Sequence, residues 1–272
     1  MELRKAETEQ ITEAIVSNQS LLVLGEPGAG KTSLGRQVRQ RLEKQGFEVA
    51  IANYSGAAKE TLTAIAEQLG VSTMTEDDRP KQLTAAQLKE SLLKRLSDPQ
   101  TVLIADDAHR WSASLRYWLE DVVRAGGLLL MLASSPCPAK DVFTKVPRME
   151  LAVLRDDEIR SLMKQEAQSY NIALEAKELA ELQQRAGNNP ALAKRVIREA
   201  VLGISEATTG DHHQYIDGTP FLVTLLMLVG VVRFLGLGLG DKVLYVMGGL
   251  LTLMALIIRT VLYAANRGGR KL

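Results

Sequence analysis

The sequence predicts an α/β fold, in which a parallel β-sheet covered by helices is followed by a small all-helical lid and a hydrophobic helical hairpin. Strand-like and helix-like segments alternate as far as about residue 155, which is the order expected of a parallel sheet with crossover helices. The strand-like segments are almost continuous in apolar residues, as expected when helices cover both faces of the sheet. From Asp156 onward only helical periodicity remains, until two long apolar segments near the end of the sequence.

The predicted strands are short apolar segments that end at a glycine, a turn or a polar side chain. The first leads into a glycine-rich loop, and the third, TVLIAD, is apolar until its acidic end. In chain order the strands are predicted at residues 20–24, 47–52, 101–106, 127–133 and 149–154.

The predicted helices have apolar residues at spacings of three and four, as in Leu34, Val38 and Leu42. In chain order they are predicted at residues 1–18, 31–44, 59–69, 84–96, 116–125, 156–170, 174–187 and 189–203. The pattern divides the chain into an α/β domain, a helical lid, a linker, a hairpin and a basic tail, at residues 1–155, 156–204, 205–218, 219–265 and 266–272.

Charge is unevenly distributed, although the formal net charge is only +1. From Thr219 onward there are six basic residues and one acidic residue, whereas the preceding part has 27 basic and 31 acidic residues. A mildly acidic part followed by a basic tail favours anionic lipid over nucleic acid as a partner.

Cys137 is the only cysteine, so no internal disulfide can form and a reducing compartment is expected. The charged N-terminus does not resemble a signal peptide, so we expect a cytoplasmic location for this part.

The stretch GEPGAGKTS contains the pattern G-x-x-x-x-G-K-[ST], which indicates a phosphate-binding loop, or P-loop. Its glycines allow the backbone N–H groups to point inward at phosphates. Lys31 is expected to reach the β and γ phosphates, and the Thr32 hydroxyl to bind Mg²⁺. The motif follows an apolar strand and opens an amphipathic helix, so we expect a P-loop NTPase fold with ATP and Mg²⁺ as ligands, the alternative being an ordinary glycine turn. The predicted nucleotide-binding residues of this stretch are Gly25, Glu26, Pro27, Gly28, Ala29, Gly30, Lys31, Thr32 and Ser33.

Two carboxylates, Asp106 and Asp107, end the third predicted strand. Asp106 is expected to hold the metal through water, and Asp107 to orient or deprotonate the attacking water. A strand that simply ends in an acidic turn is the alternative. His109, two residues later, is interpreted as a structural loop residue.

These motifs, in this order, resemble those of the AAA+ superfamily of ATPases over about residues 1–203. The resemblance rests on GEPGAGKT, an apolar strand ending in two acids, a strand ending in small polar residues and a three-helix lid. ATPases of the ExeA/GspA type and of the TniB/TnsC transposition type are the most similar, and signalling ATPases of the STAND group are also similar. The resemblance implies ATP hydrolysis in a homo-oligomeric ring, with a hexamer as the first expectation.

The resemblance implies further site residues. Ser134 and Ser135 end the fourth predicted strand, where the family places a polar residue that senses the γ-phosphate; a strand-ending turn is the alternative. Arg148 precedes the fifth predicted strand, where many members carry an arginine that reaches the neighbouring subunit's site. A solvated surface arginine is the alternative.

The sequence departs from the family pattern at two positions. Asp107 stands where the family usually has glutamate, and the shorter side chain implies slower hydrolysis or a different placement of water. Ala191 stands where related ATPases often carry a sensing arginine. Lys194 and Arg195, about one turn later, are the candidate substitutes for that arginine.

Two apolar segments, at residues 221–239 and 243–265, are each long enough to cross a bilayer core of about 30 Å. Their arginines, Arg233 and Arg259, lie toward the segment ends, where long side chains reach the headgroups. The basic residues after the second segment predict that both termini and the ATPase domain lie on the cytoplasmic side. A hydrophobic hairpin buried inside an oligomer is the alternative.

The sequence therefore predicts a membrane-anchored AAA+-like ATPase that couples its nucleotide state to assembly or remodelling at the membrane, with an unidentified protein partner. One alternative is a STAND-type regulatory switch with slow hydrolysis. The other is a transposition-type DNA-binding ATPase. Nucleic acid is disfavoured, because the part before the hairpin is slightly acidic and no winged-helix segment follows the lid.

Overall fold

The computed structural model describes residues 3–75, 79–134, 137–172 and 174–204, together with residues 238, 239, 246 and 249. By its internal contacts the chain divides into two units, Met1–His212 and His213–Leu272. The first unit contains every helix and strand named below.

Strands and helices alternate as far as β5, and the elements after it are helical. In chain order they are α1 (Lys5–Val16), β1 (Leu21–Gly25), α2 (Lys31–Lys44), β2 (Glu48–Asn53), α3 (Ala58–Gln68), α4 (Ala85–Leu96), β3 (Thr101–Asp106), α5 (Ala113–Arg124), β4 (Leu128–Ser134), β5 (Arg148–Glu150), α6 (Asp156–Ser169), α7 (Ala176–Ala186) and α8 (Pro190–Val201). Short 3₁₀ turns at Ala108–Arg110 and Asp141–Thr144 follow β3 and β4.

The five strands form one parallel sheet in the order β2-β3-β4-β1-β5. In this register Val23 of β1 lies between Leu132 of β4 and Met149 of β5. Because the strands are parallel, their carboxyl ends meet at one edge of the sheet, where open α/β folds bind ligands. The loop after β1 and the ends of β4 and β3 are therefore neighbours at this edge.

The sheet separates two hydrophobic cores. Adjacent residues of β1, Leu22 and Val23, belong to different cores, as expected of a strand that is buried on both faces. Helices α1 and α2 cover one face of the sheet, and helices α3, α4 and α5 cover the other. This arrangement explains the continuous apolar character of the central strands.

The lid, formed by α6, α7 and α8, has a core of its own. Ile159, Met163 and Ile197 are at most 1% exposed within it. Helix α8 begins with Pro190 at its first position, and the Asn189 side chain accepts hydrogen bonds from backbone N–H groups at the helix start.

Most predicted elements agree with the structure to within one or two residues, and α2 and β3 have the predicted bounds. Three predictions were wrong in extent: α1 begins at Lys5 instead of residue 1, α5 begins at Ala113 instead of residue 116, and β5 is Arg148–Glu150 instead of 149–154. The strand was overextended because the apolar run continues past the sheet. Leu154, at its end, is buried in the core of the lid.

The predicted hairpin at 219–265 lies outside the described residues except for four isolated positions, and the linker and basic tail lie wholly outside them. Among the described residues, no helix is both long enough and apolar enough to cross a bilayer. The hairpin and its orientation therefore stay predictions.

Candidate nucleotide-binding site

The loop between β1 and α2 forms a tight curl. Gly28 and Gly30 have φ angles of +81° and +90°, in the left-handed region that residues with a Cβ rarely adopt. The N–H of Ala29 donates to the carbonyl of Glu26 at 3.1 Å, and α2 begins at Lys31. The first N–H groups and the positive dipole end of α2 therefore lie at this loop, as in phosphate-binding sites.

Lys31 is buried within the loop, with 6% of the residue exposed. Its Nζ donates to the carbonyl oxygens of Gly25 at 3.2 Å and of Glu26 at 2.8 Å. Burial lowers the pKa of Lys31, and the negative charges of Asp107 and Asp106 oppose that shift. The ammonium group is thus partly desolvated and hydrogen-bonded to neutral carbonyls, so an anionic phosphate would compensate its charge.

The two acidic residues after β3 differ in environment. Asp106 is 2% exposed, and its Oδ1 accepts a hydrogen bond from the N–H of Asp107 at 2.9 Å. Its carbonyl accepts one from the Trp111 indole at 2.9 Å. Asp107 has a left-handed φ of 47°, and its half-exposed carboxylate lies 3.8 Å from the guanidinium of Arg110. The buried acid therefore suits an indirect metal contact, and the exposed one suits contact with water.

His109 joins the loop after β3 to the end of β4, a contact that the sequence interpretation did not anticipate. The N–H of Ser134 donates to His109 Nδ1 at 3.2 Å, so Nδ1 is unprotonated. Burial lowers the pKa of His109, and the negative charge of Asp107 opposes that shift. Ser134 therefore lies beside the acidic pair, whereas Ser135 lies outside the described residues.

A cavity of about 490 Å³ lies between the P-loop, the loop after β3 and the end of β4. Its walls include Lys31 and Thr32 of the P-loop region, Asp107, His109 and Ser134. Lys31 and Thr32, predicted for phosphate and metal binding, thus line the same space as Asp107 and Ser134, predicted for hydrolysis. Arg110 and Ala191 also belong to its wall, the latter from the lid.

A second cavity of about 440 Å³ lies between the N-terminal arm, the P-loop and the lid. The two cavities share Gly28, Gly30, Ser33 and Ala191 as lining residues, so they adjoin at the P-loop. The apolar part of its wall suits a nucleotide base, and it includes Leu3, Leu154, Leu162 and Pro190.

Arg4 also lines the second cavity and fastens the N-terminal arm to the P-loop. It is 6% exposed, its Nε donates to the carbonyl of Ala29 at 3.2 Å, and its guanidinium pairs with Glu7 at 2.9 Å. No sequence motif marks Arg4, and its left-handed φ of 63° is visible only in the structure.

The two proposed lid cations have different positions. Lys194 lines the second cavity and lies 3.9 Å from the Glu166 carboxylate. Arg195 pairs with Glu199 along α8 at 2.9 Å and lines neither of the two cavities. Of the two, only Lys194 is brought to the candidate site, and it lies on the side where a base would bind.

Arg148 lines neither of these two cavities. It is the first residue of the edge strand β5, opposite Leu22 of β1, and its side chain is 69% exposed. Leu22 precedes Gly25 by three residues, which corresponds to about 10 Å along a strand. The structure therefore places Arg148 on an open edge, away from the P-loop of the same subunit.

The residues present fit a magnesium nucleotide. The Thr32 hydroxyl has no hydrogen bond among the described residues, and it lines the cavity that Asp107 also lines. No group of three or more acidic, histidine or cysteine residues that could hold a metal alone occurs in the described part of the chain. Mg²⁺ would therefore bind through Thr32, through water on Asp106 and through phosphate oxygens, where it would neutralise phosphate charge.

Residues 15–143 match the family model described as an AAA domain. This segment is therefore similar to AAA domains. The match begins inside α1 and ends in the turn after β4, so it includes the P-loop and the acidic pair. No curated protein matches the chain by sequence.

Solved structures resemble the fold at low sequence identity. A crystal structure of a DNA replication initiation factor is 13% identical, with a TM-score of 0.51, over 84% of this chain and 68% of that one. DnaA bound to AMPPCP and single-stranded DNA is 13% identical, over 83% and 66%, with a TM-score of 0.48. The Thermotoga maritima RuvB Holliday junction branch migration motor is 16% identical, over 73% and 64%, with a TM-score of 0.44. The chain thus spans a little under two thirds of the RuvB chains that it matches.

Proposed function

We propose that this chain is a membrane-anchored AAA+-type ATPase, which binds ATP with Mg²⁺ and hydrolyses it within an oligomer. The observation that supports ATP binding best is the environment of Lys31. Its buried ammonium group is held by two P-loop carbonyls at the wall of a cavity that also contains Asp107 and Ser134. A triphosphate would replace the neutral carbonyl partners of this ammonium group with anionic oxygens, which compensate its buried charge.

Hydrolysis requires a group that orients water and accepts its proton, and Asp107 fits this role. Its carboxylate lines the phosphate cavity, and 44% of its side chain is exposed to solvent. Asp106 is buried and is assigned to the metal, so Asp107 is left to orient the attacking water. Asp107 is shorter than the glutamate usual in the family and lies near Arg110, so we propose slow turnover.

A regulatory switch of the STAND type is the second candidate function. It is favoured by Ala191, which lines both cavities at the lid position where related ATPases often carry a sensing arginine. Without that cation the lid has less charge with which to stabilise the transition state. Product release at each turnover distinguishes the two: a switch keeps one nucleotide bound over many minutes, whereas a cycling ATPase exchanges it.

We further propose that each site is completed by Arg148 of a neighbouring subunit. The exposed side chain on the open edge strand supports this role, because its own P-loop is about 10 Å further along β1. An arginine supplied in trans stabilises the charge on the transferred phosphoryl group.

Mixing two variants of lowered turnover tests the shared site. Arg148→Ala should lower turnover without changing ATP affinity, and Asp107→Asn should also lower turnover. In mixed oligomers some interfaces combine an intact acid with an intact arginine, so part of the activity should return. Mixed oligomers that form but show no recovery would exclude Arg148 from the neighbouring site.

Membrane anchoring through residues 219–265 is the part of the proposal that rests on sequence alone. The two apolar segments are of bilayer-spanning length. From Thr219 to the end of the sequence there are six basic residues and one acidic residue. Basic residues beside apolar segments are attracted to the anionic lipid of a membrane surface, which supports the anchor.

Truncation before residue 219 tests the anchor. The shortened chain should stay soluble without detergent, and its turnover should rise with protein concentration, because membrane confinement no longer raises the effective concentration of subunits. The full chain in liposomes should show little such dependence. A shortened chain that is insoluble or unfolded would show that the hairpin belongs to the core.

DNA appears in the names of some structural relatives, but DNA binding is not the function that we propose for this chain. Before Thr219 the chain has 27 basic and 31 acidic residues, which is a poor match for a polyanion. A salt-dependent DNA-binding assay should therefore give no specific complex, and a complex that weakens steeply with salt would favour the transposition-type alternative.

A further inference from the structure

The lid meets the P-loop through two backbone carbonyl groups of the loop. Asn189 Nδ2 donates to the carbonyl of Pro27 at 2.8 Å, and the N–H of Ala191 donates to the carbonyl of Gly28 at 3.3 Å. Asn189 is only 9% exposed. A Cβ on Gly28 would lie 2.7 Å from Asn189 Oδ1, so the contact is as close as glycine permits.

The two ends of the Asn189 amide have separate tasks. Its Oδ1 accepts hydrogen bonds from the N–H groups of Ala191 at 3.0 Å and Leu192 at 3.3 Å, which caps α8. Its Nδ2 is the end that reaches the P-loop. A carboxylate or a hydroxyl at this position would keep the cap, but neither would supply the amide donor at the same reach.

The contact with Pro27 also bears on phosphate binding. The carbonyl of Pro27 and the N–H of Gly28 belong to one peptide unit, and in a trans peptide they point in opposite directions. A carbonyl held toward Asn189 therefore directs the Gly28 N–H away from Asn189. Gly28 lines the phosphate cavity, and as a glycine it can otherwise adopt several backbone conformations.

We infer that Asn189 is a positioning residue for phosphate binding, which fixes the Pro27–Gly28 peptide and couples lid docking to nucleotide affinity. This inference rests on the proposed function, because it takes the phosphates of ATP as the ligand of the loop. The coupling is reciprocal: a nucleotide that orders the loop strengthens lid docking by the same factor.

The test compares Asn189→Asp and Asn189→Ser in the full chain, since both retain an oxygen that caps α8. Asn171→Asp is the matched control, because it makes the same chemical change at an exposed lid position. Affinity for a fluorescent ATP analogue should fall about five-fold in Asn189→Ser, the equivalent of one neutral hydrogen bond. It should fall further in Asn189→Asp, whose carboxylate would face a carbonyl oxygen. Asn171→Asp should bind as the parent does.

A second measurement reports the lid position without requiring ATP. Spin labels at Gln40→Cys in α2 and Lys177→Cys in α7, in a Cys137→Ser background, give the distance between the two parts. The parent should show one narrow distance distribution, and Asn189→Asp a broader one. Parent-like affinity in both Asn189 variants, or an unchanged distribution, would overturn the inference. A parent chain that does not bind ATP while Asn189→Asp still broadens the distribution would instead refute the proposed function.

Discussion

Replacing Gly28 with alanine perturbs the candidate site at its most crowded point. The new Cβ would lie 2.7 Å from Asn189 Oδ1 and 2.8 Å from Ala191 Cβ, where ordinary contacts are about 3.5–4.0 Å. The left-handed φ of +81° adds strain of about 1–2 kcal/mol. The lid helix must therefore move by several tenths of an ångström or more to accommodate the methyl group.

That movement would break the two hydrogen bonds between lid and loop, each of which contributes about 1 kcal/mol. If both support nucleotide binding, a loss of about 2 kcal/mol corresponds to an ATP affinity about thirty-fold weaker. Gly46→Ala is the matched control, because Gly46 has a φ of +89° and a Cβ added there would meet no heavy atom within 4 Å.

The assay combines denaturant unfolding with titration of a fluorescent ATP analogue. Both variants should lose about 1–2 kcal/mol of unfolding free energy through backbone strain, and Gly28→Ala should lose about 2 kcal/mol more with the two hydrogen bonds. Only Gly28→Ala should lose ATP affinity. Equal affinities in the two variants would show that lid contact at Gly28 does not support the site.

Two further predictions concern the groups beside the phosphate cavity. Asp107→Asn should keep ATP affinity within about three-fold while lowering turnover about a hundred-fold or more, as steady-state and binding assays would show; equal losses of both would assign Asp107 to the metal instead. Burial lowers the pKa of His109 below its ordinary 6.5, so its contribution to stability is complete above about pH 6.5 and is lost as the pH falls through the lower folded value. His109→Asn, which keeps a side-chain acceptor for the Ser134 N–H but does not titrate, should flatten the acid limb of the unfolding free energy; an unchanged limb would exclude His109 as its source.

Local patterns were enough to predict most of the fold. Apolar runs predicted β3, and the spacing of Leu34, Val38 and Leu42 predicted α2, because burial on one or both faces leaves a regular trace in the sequence. The apolar run after Met149 led to an overlong β5. Its apolar character indicates that Leu154 is buried, but it does not indicate whether Leu154 packs in the core beside the sheet or in the core of the lid.

The candidate site was predictable only in part, for a related reason. Lys31 and Asp106 belong to short motifs, so their positions follow from the residues around them. The contacts of Arg4 with Ala29, and of Asn189 with Pro27, join residues 25 and 162 positions apart and leave no local pattern. His109 was interpreted as a structural loop residue, and its hydrogen bond from Ser134 could not be predicted because it depends on β3 and β4 being neighbours in the sheet.

Binding of ATP to the P-loop through Lys31 underlies the proposals on hydrolysis, on the shared site and on Asn189, and calorimetric titration of the full chain with magnesium and ATP measures it. Lys44→Ala is the control, since Lys44 is an exposed lysine at the other end of the same helix. The parent and Lys44→Ala should bind ATP alike, whereas Lys31→Ala should show strongly weakened binding and no phosphate release. Binding and turnover in Lys31→Ala equal to those of the parent would exclude this loop as the ATP site.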